Sequence, residues 1–167
     1  STDIVTKLCD VSNISDLKYI IGSSIIDYVF HTAAYKHVPI VEDNIFAALN
    51  GNFFNTYKLA EFISKLNIKK FTLVSSDKAV RPTNIMGATK RLAELSVLYF
   101  NEKKLKTKFS IVRFGNVLES SGSVIPEFKQ QILKGGPINV THEKITRYFM
   151  SIEEAVILVL KSSQISK

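Results

Sequence analysis

The chain has 167 residues, of which 46% are hydrophobic, enough to bury one core but too few for two full domains. Its formal net charge of +7 comes from scattered lysines and arginines, without the basic stripe and interleaved aromatic residues of a nucleic-acid-binding surface. A single cysteine, Cys9, excludes an internal disulfide and is typical of a reducing compartment.

Short apolar runs alternate with longer helical patterns in the first two thirds of the chain. In chain order the patterns predict a strand at 4–8, a helix from Ser12 or Ser15 to about Ile21, a strand at 27–31, a helix at about 42–66, a strand at 70–75, a helix at about 88–101 and a strand at 109–114. These strands are continuous apolar runs, as in a parallel sheet whose two faces are both covered. The alternation predicts a doubly wound α/β sheet.

The pattern changes beyond Gly115. It predicts a helix near 125–133, short strands near 138–140 and 147–150, and a last helix from Ile152. We expect one domain over residues 1–167, with a sheet portion over about 1–117 and a smaller C-terminal portion over about 118–167.

The front of the predicted sheet is incomplete. A dinucleotide-binding sheet begins with a strand, a Gly-x-Gly-x-x-Gly turn and a helix, and Ile21-Gly22-Ser23-Ser24 is no such turn. We therefore expect the first β-α-β unit to be missing and the chain to be an internal part of a longer protein. No stretch reaches the roughly 18 continuous apolar residues of a membrane span, and the N-terminus has no signal-peptide pattern.

Two polar segments follow the strand predicted at 70–75. Ser75-Ser76-Asp77-Lys78 lies at its carboxyl end, where an open α/β sheet binds its ligands. Met86-Gly87-Ala88-Thr89-Lys90 opens the next helix and places Lys90 four residues after Met86, on the same helical face. Each segment has an ordinary alternative: a polar loop with a helix cap for the first, and a helix start with an exposed lysine for the second.

Together the two segments resemble the active site of a known enzyme family. The same family is resembled, in the same order, by HTAAYKHVP at 31–39, SSDKAVRPTNIMGATK at 75–90, VRFGNVL at 112–118, SSGSVIP at 120–126 and TRYFM at 146–150. These are the bacterial polysaccharide-biosynthesis nucleotide-sugar dehydratases, extended short-chain dehydrogenases that include the UDP-N-acetylglucosamine 4,6-dehydratases. The resemblance covers essentially the whole chain. It implies a Rossmann-like NAD(P)-binding fold with a substrate-binding C-terminal portion.

The resemblance implies a reaction and its catalytic residues. NAD oxidises C4 of the sugar, a base removes the C5 proton, water leaves from C6 and the hydride returns to C6. By position, Asp77 is the acid, Lys78 the C5 base, Ser76 the hydroxyl that bonds the C4 oxygen, and Lys90 the nicotinamide-ribose ligand. Met86 stands where most short-chain dehydrogenases have a tyrosine base, and a thioether carries no proton. Methionine here resembles the longer, membrane-associated branch, and the C4 base stays open between Asp77, Lys78 and a bound water.

Binding residues are implied in the same way. The implied cofactor-binding residues are Asp10, Val11, Ala33, Ala34, Lys36, Asn52, Ser75 and Lys90, and the implied substrate-binding residues are Asn116, Ser123 and Arg147. The ordinary alternatives are a helix cap for Asp10, packing for the alanines and an exposed helix position for Asn52. Glu119 replaces the glycine more usual before the 120–123 loop. His31 is expected to be structural, and the histidine spacing predicts no metal site.

The predicted function is NAD-dependent 4,6-dehydration of a UDP-N-acetylglucosamine-type sugar in polysaccharide or glycan biosynthesis. The alternatives are a nucleotide-sugar epimerase or reductase, because the same oxidised C4 intermediate serves several outcomes, and a non-catalytic nucleotide-sugar-binding protein. We expect a UDP-sugar as partner, no nucleic acid, and a homo-oligomer of the full-length enzyme. We also expect a cytoplasmic location, either free or as the cytoplasmic domain of an inner-membrane protein, and an inactive chain in isolation.

Overall fold

A three-stranded parallel sheet forms the centre of the protein. The computed structural model describes residues 3–103, 105–118, 120, 124–140 and 142–165. The strands are adjacent in the order β1 (Tyr28–His31), β2 (Lys70–Ser76) and β3 (Lys108–Phe114). Phe71 of β2 lies between Val29 and Phe109 in the register. Parallel neighbours need crossover connections, and helices supply them here, so the predicted parallel α/β architecture is confirmed.

The described residues also form seven α-helices. They are α1 (Ile14–Ile21), α2 (Val38–Asp43), α3 (Ile45–Ala48), α4 (Asn55–Ser64), α5 (Ile85–Glu102), α6 (Val124–Leu133) and α7 (Ile152–Ile165). A π-helical segment, Leu49–Phe54, joins α3 to α4, and a 3₁₀ turn, Asp77–Ala79, follows β2. A separate two-stranded parallel sheet pairs β4 (Asn116–Val117) with β5 (Phe149–Met150).

The strand predicted at residues 4–8 is wrong. Residues 3–10 have no regular structure, and Ile4, Val5 and Leu8 are 86%, 77% and 103% exposed. With the first β-α-β unit missing, the run at 4–8 corresponds to the third strand of a doubly wound sheet of order 3-2-1-4-5-6. In that order the third strand pairs only with the second. No described residue before Tyr28 forms such a second strand, so the apolar run has no neighbour to satisfy its backbone groups.

The long helix predicted at 42–66 is divided. It begins earlier, at Val38, with Pro39 in its first turn where the missing N–H costs nothing. Asn44 ends α2 with a non-helical backbone and donates its side-chain N–H to Ile40 O. The π-helical segment, which contains the buried Asn52, then separates α3 from α4.

Three smaller boundaries also differ from the predictions. Asn13, and not Ser12 or Ser15, caps α1 by accepting from Asp16 N. Helix α5 begins at Ile85, three residues early, because Asn84 caps it. Residues 138–140 form no strand. The partner of β5 is β4, which is only two residues long and therefore too short to be predicted from an apolar run.

The main core lies between the sheet and helices α4 and α5. Its buried side chains are Leu59, Ala60, Phe62, Ile63, Ile68, Phe71, Leu73, Ala93, Val97, Phe100 and Phe109. Phe71 is fully buried at its centre and contacts the Phe109 ring at a centroid distance of 5.4 Å. Helix α7 also contacts β2 and β3, so the chain beyond residue 118 helps to cover the sheet. None of the described helices is long and apolar enough to span a bilayer.

Replacing Phe71 by alanine is expected to lower the free energy of unfolding by about 3–5 kcal/mol, because a fully buried aromatic leaves a cavity. Urea unfolding followed by circular dichroism measures this loss. The matched control is Phe46→Ala, at a position that is 82% exposed, and it is expected to change stability by less than about 0.5 kcal/mol. Equal losses for the two variants would contradict the position of the core.

Candidate active site

The carboxyl ends of the main sheet open into one cavity of about 530 Å³. Its walls are the loop after β1, the segment after β2, the first turns of α5, the residues after β3 and the start of α6. The predicted site residues that line it are Ala34, Lys36, Ser75, Ser76, Lys78, Met86, Lys90 and Asn116. The structure therefore brings together side chains from four separate parts of the sequence.

Other predicted site residues do not line this cavity. They are Asp10, Val11, Ala33, Asn52, Asp77 and Arg147. Asp10 accepts hydrogen bonds from the N–H and hydroxyl of Ser12, in the turn before α1, and Val11 packs partly buried against the main core. Arg147 is exposed and donates to the Thr146 carbonyl. Ser123 and Glu119 lie outside the described residues.

Ser76, Asp77 and Lys78 form a hydrogen-bonded group where β2 ends. Lys78 Nζ lies 3.1 Å from Asp77 Oδ1, and Ser76 Oγ donates to the same oxygen at 3.0 Å. Partial burial would raise the pKa of Asp77, but the bonds from Lys78 and Ser76 outweigh it, so the pKa is lowered. The side chains of Lys78 and Asp77 are 32% and 39% exposed, so solvent or a ligand can reach this ion pair.

Lys90 is a buried cation that lines the same cavity. It is 7% exposed, and its Nζ donates to the Val74 carbonyl at 2.7 Å. Burial lowers the pKa of Lys90 to about 8, although the Glu94 carboxylate partly counteracts this effect. An ammonium has three N–H donors, and the described residues occupy one of them. Two donors therefore remain for a ligand.

The start of α5 lies directly against the backbone of Lys78. Asn84 caps the helix by accepting from Gly87 N at 2.8 Å. A Cβ on Gly87 would lie 2.3 Å from the Lys78 carbonyl oxygen, closer than any real contact. Glycine is therefore required at 87 for the helix to approach the backbone of the Lys78 segment.

Met86 lies one turn before Lys90 and also lines the cavity. It is 4% exposed and packs with Val41 and Ala48 in a small second apolar cluster. Its side chain thus presents an apolar thioether where a tyrosine would present a hydroxyl. The wall at this position carries no proton donor or acceptor.

Asn52 fixes the loop after β1. It is 1% exposed, accepts from Tyr35 N at 2.7 Å, and donates to Tyr35 O and Thr89 Oγ1, both at 3.0 Å. The alternative of an exposed helix position is therefore wrong. Gly51 lets the Tyr35 ring pack directly against the π-helical segment, since a Cβ there would lie 2.5 Å from the ring. These contacts of the π-helical segment with Tyr35 hold its two neighbours, Ala34 and Lys36, at the cavity.

His31 ends β1 behind the cavity. It is 3% exposed, and its Nε2 is 2.9 Å from Thr56 Oγ1, which supports the expectation of a structural role. Burial, with a smaller contribution from the positive charge of Lys90, lowers the pKa of His31 to about 4. Within the described residues, no three His, Cys, Asp or Glu side chains meet as a metal site would require.

Glu94 is a site residue that the sequence analysis missed. It is fully buried and accepts from Ser75 Oγ at 2.6 Å, Arg91 Nη1 at 2.9 Å and Arg113 Nε at 2.7 Å. Burial would raise its pKa, but the bonds from Arg113, Ser75 and Arg91 prevail and lower it. The available signal was its spacing four residues after Lys90, which places both side chains on one helical face.

A family described as "Polysaccharide biosynthesis protein" matches residues 1–167. The chain belongs to this polysaccharide biosynthesis protein family. The family assignment agrees with the resemblance inferred from the 31–39 and 75–90 segments.

Three curated relatives of this chain have different described functions. The capsular polysaccharide biosynthesis protein CapD of Staphylococcus aureus is 46% identical over 165 residues, 99% of this chain and 28% of that protein. A UDP-glucose 4-epimerase of Rickettsia canadensis is 39% identical over 137 residues, 81% of this chain and 40% of the relative. A UDP-N-acetylglucosamine 4,6-dehydratase (inverting) of Campylobacter jejuni is 35% identical over 140 residues, 82% and 42% of the two chains.

A solved structure supports the fold. The X-ray structure of Pen from Bacillus thuringiensis superposes with a TM-score of 0.89 and 37% sequence identity, over 96% of this chain and 50% of Pen. The chain thus spans about a quarter to a half of the length of these proteins. The predicted membership of the polysaccharide-biosynthesis family and the predicted parallel α/β fold are confirmed.

The Gly87→Ala variant is expected to lose about 1–3 kcal/mol of stability, because the added methyl group forces the Lys78 carbonyl away. Helix propensity alone predicts the opposite sign, a gain of up to about 1 kcal/mol. The control Ala88→Gly is expected to cost about 1 kcal/mol through propensity. Thermal and urea unfolding measure both, and a gain for Gly87→Ala would mean that the Lys78 backbone has room to move.

Stability is expected to fall by about 3 kcal/mol as the pH drops from 6.5 to about 4, because the unfolded chain protonates His31 in this interval and the folded protein does not. The contribution is complete above the unfolded pKa of 6.5. His31→Gln removes it, so the stability advantage of the wild type over this variant should shrink towards pH 4. His142→Gln, in an exposed turn, serves as the control. A constant difference between wild type and His31→Gln would contradict the neutral buried state.

Proposed function

We propose that the full-length protein is an NAD-dependent UDP-sugar 4,6-dehydratase and that this chain carries its catalytic group. The observation that carries the proposal is the Asp77–Lys78 pair, with Nζ and Oδ1 3.1 Å apart, in which Lys78 lines the same cavity as Ser76 and Lys90. Dehydration needs two proton transfers at adjacent sugar carbons, and this pair offers two neighbouring groups that can carry protons. The similarity to a UDP-N-acetylglucosamine 4,6-dehydratase supports this reaction and sugar.

The described residues fit the nicotinamide half of a dinucleotide. Two N–H donors of Lys90 remain for ribose hydroxyls, and the small side chain of Ala34 leaves space in the cavity wall. Asn52 holds the backbone of this loop in place. NAD bound there would accept two electrons from C4 of the sugar and return them to C6. The UDP moiety would then extend towards Asn116, on the β3 side of the cavity.

Asp77 is suited to move one proton between two sugar oxygens. Its lowered pKa makes it a carboxylate at rest, so it can accept the proton of the C4 hydroxyl that Ser76 orients. The same proton then passes from Asp77 to the C6 oxygen, whose bond to carbon breaks, and water leaves. Asp77 is regenerated as the carboxylate. This cycle gives the C4 proton an acceptor although Met86 has none.

Lys78 is proposed as the base at C5. In its uncharged form it takes the C5 proton, which is acidified by the neighbouring C4 ketone, and returns a proton to C5 after C6 has been reduced. The net change is loss of one water molecule, and both Asp77 and Lys78 end in their starting states. While Asp77 holds the C4 proton it cannot also hold the proton of Lys78, so the Lys78 ammonium passes that proton to water before it acts as the base and regains one from water when the cycle ends.

A second candidate function is UDP-sugar 4-epimerisation. The match to a UDP-glucose 4-epimerase favours it, and both reactions begin by oxidation at C4. Epimerisation requires no base at C5 and no acid at C6, so it would leave the Asp77–Lys78 pair without a complete role. For this reason we rank dehydration first.

Incubating the full-length protein with UDP-N-acetylglucosamine in D₂O tests the proposal. We expect a 4-keto-6-deoxy product that carries deuterium at C5. Lys78→Ala is expected to abolish the C5 exchange, and Asp77→Asn to lower kcat by about 100-fold or more, because each removes one proton transfer. Product analysis by NMR and mass spectrometry measures both.

The chain offers a matched control pair. Lys69 and Asp27 form another Lys–Asp ion pair, 2.9 Å apart, but on the exposed surface. Lys69→Ala and Asp27→Asn are expected to keep wild-type turnover. A C4 stereoisomer as product would favour the epimerase, and C5 exchange that survives Lys78→Ala would remove Lys78 from the base role.

A further inference from the structure

Glu94 is a fully buried carboxylate that the proposed proton transfers do not use. It lies on α5 one turn after Lys90 and accepts four hydrogen bonds: from Ser75 Oγ, from Arg91 Nη1 and two from Arg113. Burying a carboxylate is costly unless its oxygens are bonded in this way. The four hydrogen bonds therefore offset the cost of burying the Glu94 carboxylate.

Helix α5 holds two consecutive residues at the end of β2. Lys90 Nζ donates to the Val74 carbonyl at 2.7 Å, and the Glu94 carboxylate accepts from the Ser75 hydroxyl at 2.6 Å. Ser76 follows at once and begins the catalytic group. The two contacts thus fix the direction in which the chain leaves the sheet at Ser76.

Arg113 connects this helix to the neighbouring strand. It donates to both Glu94 oxygens, at 2.7 Å from Nε and 2.5 Å from Nη2, in the two-point geometry that suits a guanidinium. Arg113 lies opposite Ser75 in the β2–β3 register. One carboxylate therefore fixes the ends of both strands that border the cavity.

We propose that Glu94 is a positioning residue, which holds Ser76, Asp77 and Lys78 at a fixed place relative to Lys90 through its bonds to Ser75 and Arg113. The inference rests on the proposed function, since it assigns to Glu94 the geometry that the proton transfers require. A misplacement of about 1 Å in a catalytic group can cost about 100-fold in rate.

Glu94 also acts on the charge of Lys90. Its carboxylate favours the ammonium form, so its removal should lower the pKa of Lys90 further below about 8. The other titratable groups near Lys90 are His31 from β1, whose pKa the charge of Lys90 lowers, and Lys36, His37, Lys78 and Glu127, which line the same cavity. Glu127 is the one anion among them, and Glu94 is the carboxylate whose charge raises the pKa of Lys90.

The first test is Glu94→Gln in the full-length protein, which keeps the shape and removes the charge. We expect kcat to fall by about 100-fold with KM for the UDP-sugar changed less than about threefold, because geometry and not binding is lost. NMR titration of the Lys90 side chain should show a lower pKa than in the wild type. Glu94→Asp should restore this titration but not kcat, because its shorter side chain withdraws the carboxylate from Ser75. The matched control is Glu61→Gln, in an exposed pair with Lys65 on α4.

The second test removes only the link to the catalytic group. Ser75→Ala leaves the Arg91 and Arg113 pairs of Glu94 intact, so this variant stays folded if Glu94→Gln does not. We expect kcat of Ser75→Ala to fall at least about tenfold with little change in melting temperature. The double variant should lose no more than Glu94→Gln alone, since both changes break the same link.

Three outcomes decide the proposal. Wild-type kcat in Ser75→Ala, independent effects that multiply in the double variant, or an unchanged Lys90 titration in Glu94→Gln would each overturn it. The Lys90 titration needs no turnover. If the wild type does not dehydrate UDP-sugars, the proposed function fails, and the titration still reports whether Glu94 acts on Lys90.

Discussion

The close approach of α5 to the backbone of Lys78 is the constraint on which the site depends. Gly87 permits this approach, because any side chain at that position would overlap the Lys78 carbonyl. Once the helix starts there, its 3.6-residue period brings Met86, Lys90 and Glu94 to one face, towards the end of β2. The cavity, the buried cation and the ion pair at Asp77 are all consequences of where one helix begins.

Three buried polar side chains maintain this arrangement, and each of the three is hydrogen-bonded. Asn52 links the loop after β1 to Thr89 on α5, His31 bonds Thr56, and Glu94 links β2 to β3. An apolar core alone would tolerate small shifts of the helices, whereas such bonds are lost when the partners move. The apolar cluster around Phe71 therefore provides stability, and the polar contacts fix the positions of the helices and strands relative to one another.

The sequence predicts local features well and distant partnerships poorly. β1, β2, β3 and α5 follow from continuous apolar runs and helical spacing, and the lining of the cavity by Ser76, Lys78 and Lys90 follows from the position of their segments after β2. The strand at 4–8 fails because a strand depends on a neighbour that its own residues do not specify. Glu94 was missed because its partners Ser75 and Arg113 are each 19 residues away, and a helical glutamate ordinarily indicates solvent exposure.

β1 has a hydrogen-bonding neighbour, β2, on one side only among the described residues. Within the part of the chain that the structure describes, no strand pairs with its other edge, and Tyr28 and Phe30 of β1 are 49% and 38% exposed. Such an edge is a template for β-augmentation by a strand from elsewhere in the same protein or from a second molecule. An exposed edge of this kind promotes aggregation when the chain is expressed by itself. A strand that pairs with β1 would cover the edge and so also keep the protein from aggregating.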